Sequence, residues 1–287
     1  MDNLTNLSYV RKLLEEHNFS FSKGLGQNFL VNPAVCPKIA EMGNAAPGTG
    51  IIEIGTGIGT LTAELASRAD KVVAVEIDTR LLPILEVTLK DFKNIKVINQ
   101  DIMNTDIRAL IEEEFSGLEV AVCANLPYYL TSPIIMMLLE SRAPIRSVTV
   151  MVQKEAADRL CAKVGTRESG AITVGVNYFG SAAKLFNVSR GSFVPSPNVD
   201  SAVIKIDIDN KKYSLSEKDE KFFFAMVKGA FSQRRKTLAN SLSSSLGLTK
   251  DNIYEALEHC GHKPTTRVEE LDMDNLINLA GELIKYL

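Results

Sequence analysis

Four consecutive residues, Asn125-Leu126-Pro127-Tyr128, put a side-chain amide, a turn that exposes a main-chain carbonyl and an aromatic face within one short span. Such a set suits methylation of a planar amino nitrogen. The amino group of an adenine is a poor nucleophile because its lone pair is delocalised into the ring. Two acceptors that take both amine hydrogens, the Asn125 side-chain oxygen and the Leu126 carbonyl, would localise that pair. Tyr128 would stack on the base and fix the angle of attack. The preceding run, 119–124, is apolar and β-rich and stops at a proline-containing turn, so it reads as a buried strand with Asn125 at its carboxyl end. Open α/β sheets bind ligands at that end. Taken alone, the tetrapeptide fits an ordinary turn equally well.

A second cluster tips the balance. Residues 51–61 are a short apolar strand running into three alternate glycines, Gly55, Gly57 and Gly59, followed by a helix-like stretch to Arg68. Glycines there let the backbone approach a ligand closely at a helix N-terminus. Thr60 stands where a dinucleotide fingerprint needs its third glycine, so a nicotinamide cofactor fits poorly. The run 71–78 gives a second strand, whose Glu76 can accept both hydroxyls of a ribose. The run 94–101 gives a third, ending in Asp101, placed to accept from the amino group of a cofactor adenine. Each carboxylate by itself is explained as a solvated loop residue. The ordered set Gly55/Gly57, Glu76, Asp101 and Asn125 outlines a site for S-adenosylmethionine.

Strand and helix patterns alternate from 51 to 150, with strands near 51, 72, 95, 119 and 147, which predicts a parallel sheet with crossover helices. Residues 9–16 are amphipathic and predict a helix leading into a Gly-rich segment. Residues 170–179 are ambiguous, since Ile172, Val174 and Val176 alternate as in a strand. Residues 184–188 and 202–207 read as a closing hairpin pair at the sheet edge, 207–216 as a polar linker, and the remainder as helices broken at Gly247 and Gly261. The expected organisation is one domain over 1–208 and a helical domain over 209–287.

In these motifs and their order the chain resembles the ribosomal RNA adenine N6,N6-dimethyltransferases, the KsgA-type enzymes of bacteria. Further segments carry the likeness. Lys23-Gly-Leu-Gly-Gln-Asn-Phe-Leu30 is similar to the family's N-terminal cofactor-side motif, and Phe193-Val-Pro-Ser-Pro-Asn-Val-Asp-Ser201 to its second base-stacking motif. Phe231-Ser-Gln-Arg-Arg-Lys-Thr-Leu238 is similar to its basic segment and Arg267-Val-Glu-Glu-Leu271 to its closing motif. Thr56 departs from the frequent proline, and Tyr129-Leu130 from a smaller polar residue and an isoleucine; neither change removes a contacting group.

The resemblance implies an α/β fold: a Rossmann-like class I S-adenosylmethionine-dependent methyltransferase domain with a small C-terminal helical domain, and a helix over 170–179. It implies cofactor contacts from Asn28, Leu30, Gly55, Gly57, Glu76, Asp101 and Asn125. The implied catalytic set is Asn125, Leu126, Pro127, Tyr128 and Phe193, with Tyr128 and Phe193 sandwiching the extruded base. The implied substrate is a pair of adjacent adenosines in a hairpin near the 3′ end of small-subunit (16S) rRNA, each dimethylated, met within a pre-ribosomal 30S particle. The expected protein is a cytoplasmic monomer with a role in ribosome biogenesis.

Composition agrees with a globular enzyme. At 287 residues and 45% hydrophobic, the chain can bury one large core and one small one. A net charge of −3 argues against RNA at first sight. Distribution matters more, because phosphate contacts respond to the local field. Residues 221–240 carry Lys221, Lys228, Arg234, Arg235 and Lys236 with no acid, whereas 246–287 hold more acids than bases. Alone, Arg234–Lys236 reads as a solvated helix face; the resemblance makes these five residues the expected RNA contacts. The cysteines at 36, 123, 161 and 260 are too scattered for a disulfide framework or zinc ribbon, and His259-Cys260-Gly261-His262 reads as a helix end, so no metal is expected. Neither a cleavable leader nor an apolar run of about 18 residues is visible. Competing classes are a large-subunit rRNA adenine methyltransferase, a non-catalytic assembly or transcription factor, a protein-glutamine methyltransferase and a dehydrogenase. The Arg234–Lys236 and Arg267–Leu271 segments, the retained Glu76, Asp101 and Asn125, Leu126 in place of a proline, and the missing third glycine weigh against each in turn.

Overall fold

The computed structural model describes residues 2–287. Its strands are β1 (Phe29–Leu30), β2 (Thr49–Ile54), β3 (Lys71–Glu76), β4 (Ile95–Asn99), β5 (Glu119–Asn125), β6 (Ile145–Gln153), β7 (Gly180–Val188), β8 (Phe193–Val194) and β9 (Ser201–Ile208). The helices are α1 (Leu7–Glu16), α2 (Val35–Met42), α3 (Thr60–Ala66), α4 (Leu82–Thr88), α5 (Ile107–Glu114), α6 (Thr131–Glu140), α7 (Lys154–Leu160), α8 (Ala171–Phe179), α9 (Glu217–Ser232), α10 (Leu238–Leu246), α11 (Lys250–His259) and α12 (Met273–Leu283).

Seven strands form one sheet in the order β4-β3-β2-β5-β6-β9-β7. The β3–β4, β2–β3, β2–β5 and β5–β6 pairs are parallel, and β9 runs antiparallel to β6. Strand β2 is buried throughout, and β5 is buried from Val120 to Ala124. Their apolar burial, interrupted only by Thr49 and Glu53 in β2, is what parallel strands covered on both faces require. The chain builds outward from β2 through β3 to β4, then crosses to β5 on the other side. The switch point therefore lies between the carboxyl ends of β2 and β5, with Ile54 opposite Ala124.

The expected closing pair forms at the sheet edge, joined by a long connection in place of a tight hairpin. Strand β9 inserts between β6 and β7, so β7 is the edge, and the connection between them carries β8, which pairs with β1. Residues 171–179 are helical. That helix buries Thr173, Val174, Gly175, Val176, Tyr178 and Phe179, so its apolar residues surround the axis and the helical period fades from the sequence.

By packing, the chain divides into two compact units. One runs to residue 157 and resumes at 182–208; the other is 158–181 with 209–287. The segment 158–181, which the sequence reading keeps with residues 1–208, has its contacts within the second unit. There the Tyr178 ring stacks on Tyr213 and Phe223, and its hydroxyl donates to Glu220 at 2.7 Å. Helix starts carry side-chain caps: Asn6 accepts from Ser8 and Tyr9, Ser216 from Asp219, Thr249 from Asn252 and Asp272 from Asn275. Gly247, with φ 72°, ends α10. Among the described residues no helix is long and apolar enough to cross a membrane.

Candidate active site

A cavity of about 260 Å³ opens at the switch point. Its walls are the segment 25–29, the glycine loop after β2, the end of β3, residues 100–103 after β4, and 125–130 after β5. Gly55 (φ 75°) and Gly57 (φ 55°) both adopt the left-handed conformation. A side chain at Gly57 would also meet the Phe29 ring, 3.2 Å from its Cβ. The alternate glycines thus answer a backbone requirement as well as leaving a cradle open to a ligand.

Glu76, buried at the end of β3, clasps that loop. Its Oε2 accepts from the Thr56 N–H (2.9 Å), the Thr56 hydroxyl (2.9 Å) and the Gly57 N–H (3.3 Å), while Oε1 accepts from the Asp78 N–H at 2.9 Å. The expected grip on both ribose hydroxyls with the whole carboxylate needs correction. Oε2 is taken up by the protein, and only Oε1 keeps acceptor capacity for a ligand. Asp101 accepts from the Met103 N–H at 2.9 Å and more weakly from Asn104, and it retains capacity on both oxygens. A pair of carboxylates beside a glycine cradle, one toward a diol and one toward an exocyclic amine, fits an adenosine-bearing cofactor. The exposed apolar residues Ile77 and Met103 flank this slot, and sequence reasoning missed both. The only signal was an apolar residue directly after each strand-end acid or its neighbour.

Asn125 is held by the N-terminal segment. Its Nδ2 donates to the Asn28 carbonyl at 3.2 Å. A carbonyl can only accept, so this bond decides which way the amide faces, and Oδ1 remains free to accept from a substrate amine. Asn28 is itself tied back, donating from Nδ2 to the Gly26 carbonyl at 3.0 Å. Leu126 gives its N–H to the Met151 carbonyl at 3.2 Å, and its own carbonyl accepts no bond among the described residues. Pro127, extended at ψ 130°, starts the short 3-10 turn 128–130 through its carbonyl. Tyr128 is half-buried with its hydroxyl 2.8 Å from the buried Ser201 Oγ, and burial raises the phenol pKa. Ser201 was not anticipated as part of the site; it lies at the end of the quoted 193–201 motif.

Two expected residues lie outside the lining of the main cavity. Leu30 and Phe193 are paired to each other across β1 and β8, and both side chains sit in the hydrophobic core with Val188 and Val203. Phe193 is 3% exposed and lines no part of the main cavity, so it presents no face to a base. Leu30 lines a smaller cavity of about 40 Å³ together with Asn28, Gly55, Gly57 and Asn125, four of the other expected cofactor contacts. The aromatic faces at the main cavity are Phe29, Tyr128 and Tyr129, the last 57% exposed at the mouth.

The basic segment is likewise sorted by its partners. Arg234 donates to the Arg167 carbonyl at 2.5 Å and meets Glu269 at 3.3 Å, so its guanidinium is engaged in the second unit. Lys221 pairs with Glu217 at 2.6 Å one turn back. Lys228, Arg235 and Lys236 are exposed and have no ion pair among the described residues, and they are the members of the expected set that remain available to phosphates. His259 faces Glu282 and His262 faces Asn275.

Comparison with known proteins converges on one family. A sequence profile described as ribosomal RNA adenine dimethylase matches residues 18–285. The chain is 47% identical over 278 residues to a ribosomal RNA small subunit methyltransferase A of Geobacillus sp. (strain WCH70), covering 96% of this chain and 95% of the other. It is 44% identical to the protein of the same name from Alkaliphilus oremlandii (strain OhILAs), over the full length of both. Among solved structures, a dimethyladenosine transferase from Plasmodium falciparum superposes with a TM-score of 0.73 at 28% identity, covering 89% of this chain and 97% of that one. The 23S rRNA methyltransferase ErmE superposes with a TM-score of 0.67 at 27% identity, covering 90% and 100%.

Proposed function

This chain belongs to the ribosomal RNA adenine dimethylase family, and on that premise we propose that it transfers methyl groups to the N6 amines of two adjacent adenosines near the 3′ end of small-subunit rRNA. S-adenosylmethionine is the methyl donor; when bound, it supplies a methyl group already activated on a sulfonium. The chain's own residues then have to bind, orient and localise. Glu76 Oε1 and Asp101 hold the nucleoside end, and the glycine loop lets the backbone close on the remainder. The observation that carries the reading is the fixed Asn125 amide: its Oδ1 and the carbonyl of the next residue, Leu126, both accept no bond among the described residues. Together they accept both amine hydrogens and return the lone pair to the attacking nitrogen. Tyr128, steadied through Ser201, stacks on the extruded base.

Each transfer forms an N–CH₃ bond, breaks the S–CH₃ bond and frees one proton. The alkylated amine is strongly acidic, so the proton passes to water without a dedicated base, and no histidine lines the cavity. Lys228, Arg235 and Lys236 supply phosphate contacts within residues 209–287, which act as the RNA-docking module. The physical partner is a pre-ribosomal 30S particle in the cytoplasm, met by a monomer. Near full-length identity to small-subunit enzymes supports this substrate over the large subunit named for ErmE. Primer extension on rRNA from a deletion strain tests it, since N6,N6-dimethyladenine blocks reverse transcription. Expected are stops at two adjacent adenosines in the parent and read-through in the deletion; stops lost from the large-subunit rRNA instead would refute the reading.

A further inference from the structure

The wall of the cavity formed by residues 25–29 is held by two anchors, an apolar one within residues 19–29 and an ionic one on the segment after β3. The apolar anchor is a trio of rings, with Phe29 centred 5.8 Å from Phe19 and 5.2 Å from Phe21. The ionic anchor is Arg80. Its Nε and Nη2 donate to the two oxygens of Asp78, at 2.8 and 2.6 Å, and its Nη1 donates to the Ser20 carbonyl at 3.2 Å. The same guanidinium lies over the Phe19 ring, 5.0 Å from its centre.

Asp78 passes the connection on. Gln27 Nε2 donates to Asp78 Oδ2 at 2.7 Å, and Gln27 Oε1 accepts from the Ser22 N–H at 2.8 Å. The next residue, Asn28, supplies the carbonyl that orients the Asn125 amide. Arg80 lines no part of the cavity, yet it closes a chain of contacts that ends on the reacting motif. Hydrogen bonding from the guanidinium holds the Asp78 carboxyl below its usual range, so the pair stays ionised at neutral pH.

We propose that Arg80 is a positioning residue for methyl transfer: by clamping Ser20, Phe19 and the Asp78–Gln27 pair, it holds the 25–28 wall where the Asn28 carbonyl fixes Asn125. The proposal rests on the methyltransferase reading of Asn125. A planar fork is needed because one side chain must bind a carboxylate through two bonds, donate to a carbonyl and lie flat on a ring; an ammonium cannot do all three. The Arg80 side chain is 45% exposed. Beneath it the Asp78 side chain is only 5% exposed, and it keeps the Gln27 amide and the Arg80 N–H as partners when the guanidinium is removed, so the loss should be felt first in the wall and in what the wall orients.

The test uses Arg80→Met and Arg80→Lys in the full chain. Hydrogen exchange over 19–28 should speed up by about tenfold in Arg80→Met while the sheet keeps its parental rates, as expected for local opening. Affinity for S-adenosylhomocysteine, and single-turnover methylation at saturating cofactor, should each fall about tenfold, with RNA affinity within about twofold of the parent. Arg80→Lys should recover part of each. Parental exchange over 19–28 with parental cofactor affinity would overturn the proposal. So would faster exchange spread through the whole sheet with a lowered melting temperature, which would make Arg80 a general support. If the parent itself methylates no rRNA, the function proposed above fails, while exchange and cofactor affinity still decide whether Arg80 holds the wall.

Discussion

Replacing Glu76 by Gln separates two roles that the structure gives to one carboxylate. A glutamine can keep its carbonyl oxygen at the Oε2 position, retaining the Thr56 and Gly57 bonds, but its NH₂ then faces the Asp78 N–H, donor against donor. Loss of that one charge-assisted bond should cost about 1.5–3 kcal/mol of stability in the free protein. The same NH₂ replaces the only oxygen with capacity left for a ribose hydroxyl. Cofactor affinity should therefore fall by a similar 1.5–3 kcal/mol, or roughly 10- to 150-fold in Kd. Denaturant unfolding of the free protein measures the first loss, and calorimetric titration with S-adenosylhomocysteine measures the second. A folded Glu76→Gln protein with parental Kd would remove Glu76 from the cofactor site, and parental unfolding would refute the clasp on the glycine loop.

Asn125→Ala should lower single-turnover methylation at saturating cofactor far more than it lowers RNA affinity, because the amide's bond strengthens as the lone pair localises; near-parental turnover would defeat the mechanism. Tyr128→Ala should lose rate and base positioning together. Tyr128→Phe keeps the ring but leaves the buried Ser201 hydroxyl without its partner, so rates should be intermediate, with about 1 kcal/mol of stability lost; a Phe variant as impaired as Ala would mean that the ring is not what matters. Arg235→Ala with Lys236→Ala should weaken RNA binding and flatten its salt dependence by about one unit of slope per contact. Arg234→Ala should chiefly lower the melting temperature, and the reverse pattern would contradict the assignment. Burial pushes the Glu53 carboxyl up to about 8, above its unfolded value, so the folded chain binds the extra proton and loses stability as pH rises through that window. The stability of Glu53→Gln relative to the parent should therefore grow between pH 5 and 8, by at most about 1.4 kcal/mol per pH unit. A difference flat with pH would show that Glu53 does not titrate there.

The parts of the site that were legible in the sequence are those encoded locally. Gly55, Gly57, Glu76, Asp101 and Asn125 each lie at the carboxyl end of a parallel strand or within three residues after it, and such a sheet brings its strand ends to one side whatever the rest of the chain does. An apolar run followed by its terminal residue is enough to place each of them at the cavity, and the alternate glycines announce a backbone that a side chain would strain. Residues 170–179 were ambiguous for the converse reason: a helix buried all round carries no periodic signature.

Only the tertiary structure decided which groups are free to act. Phe193 looks like a site residue in its motif, but it pairs with Leu30 across most of the first unit and turns into the core. Arg234, Arg235 and Lys236 are consecutive and alike in charge, yet Arg234 alone is engaged, because Arg167 and Glu269 arrive beside it from distant segments. The Asn125 amide takes its orientation from the Asn28 carbonyl, 97 residues away in the chain, and Arg80 meets Ser20 across 60 residues. A side chain's availability depends on what packs against it, and those partners are long-range neighbours that no local window of sequence contains.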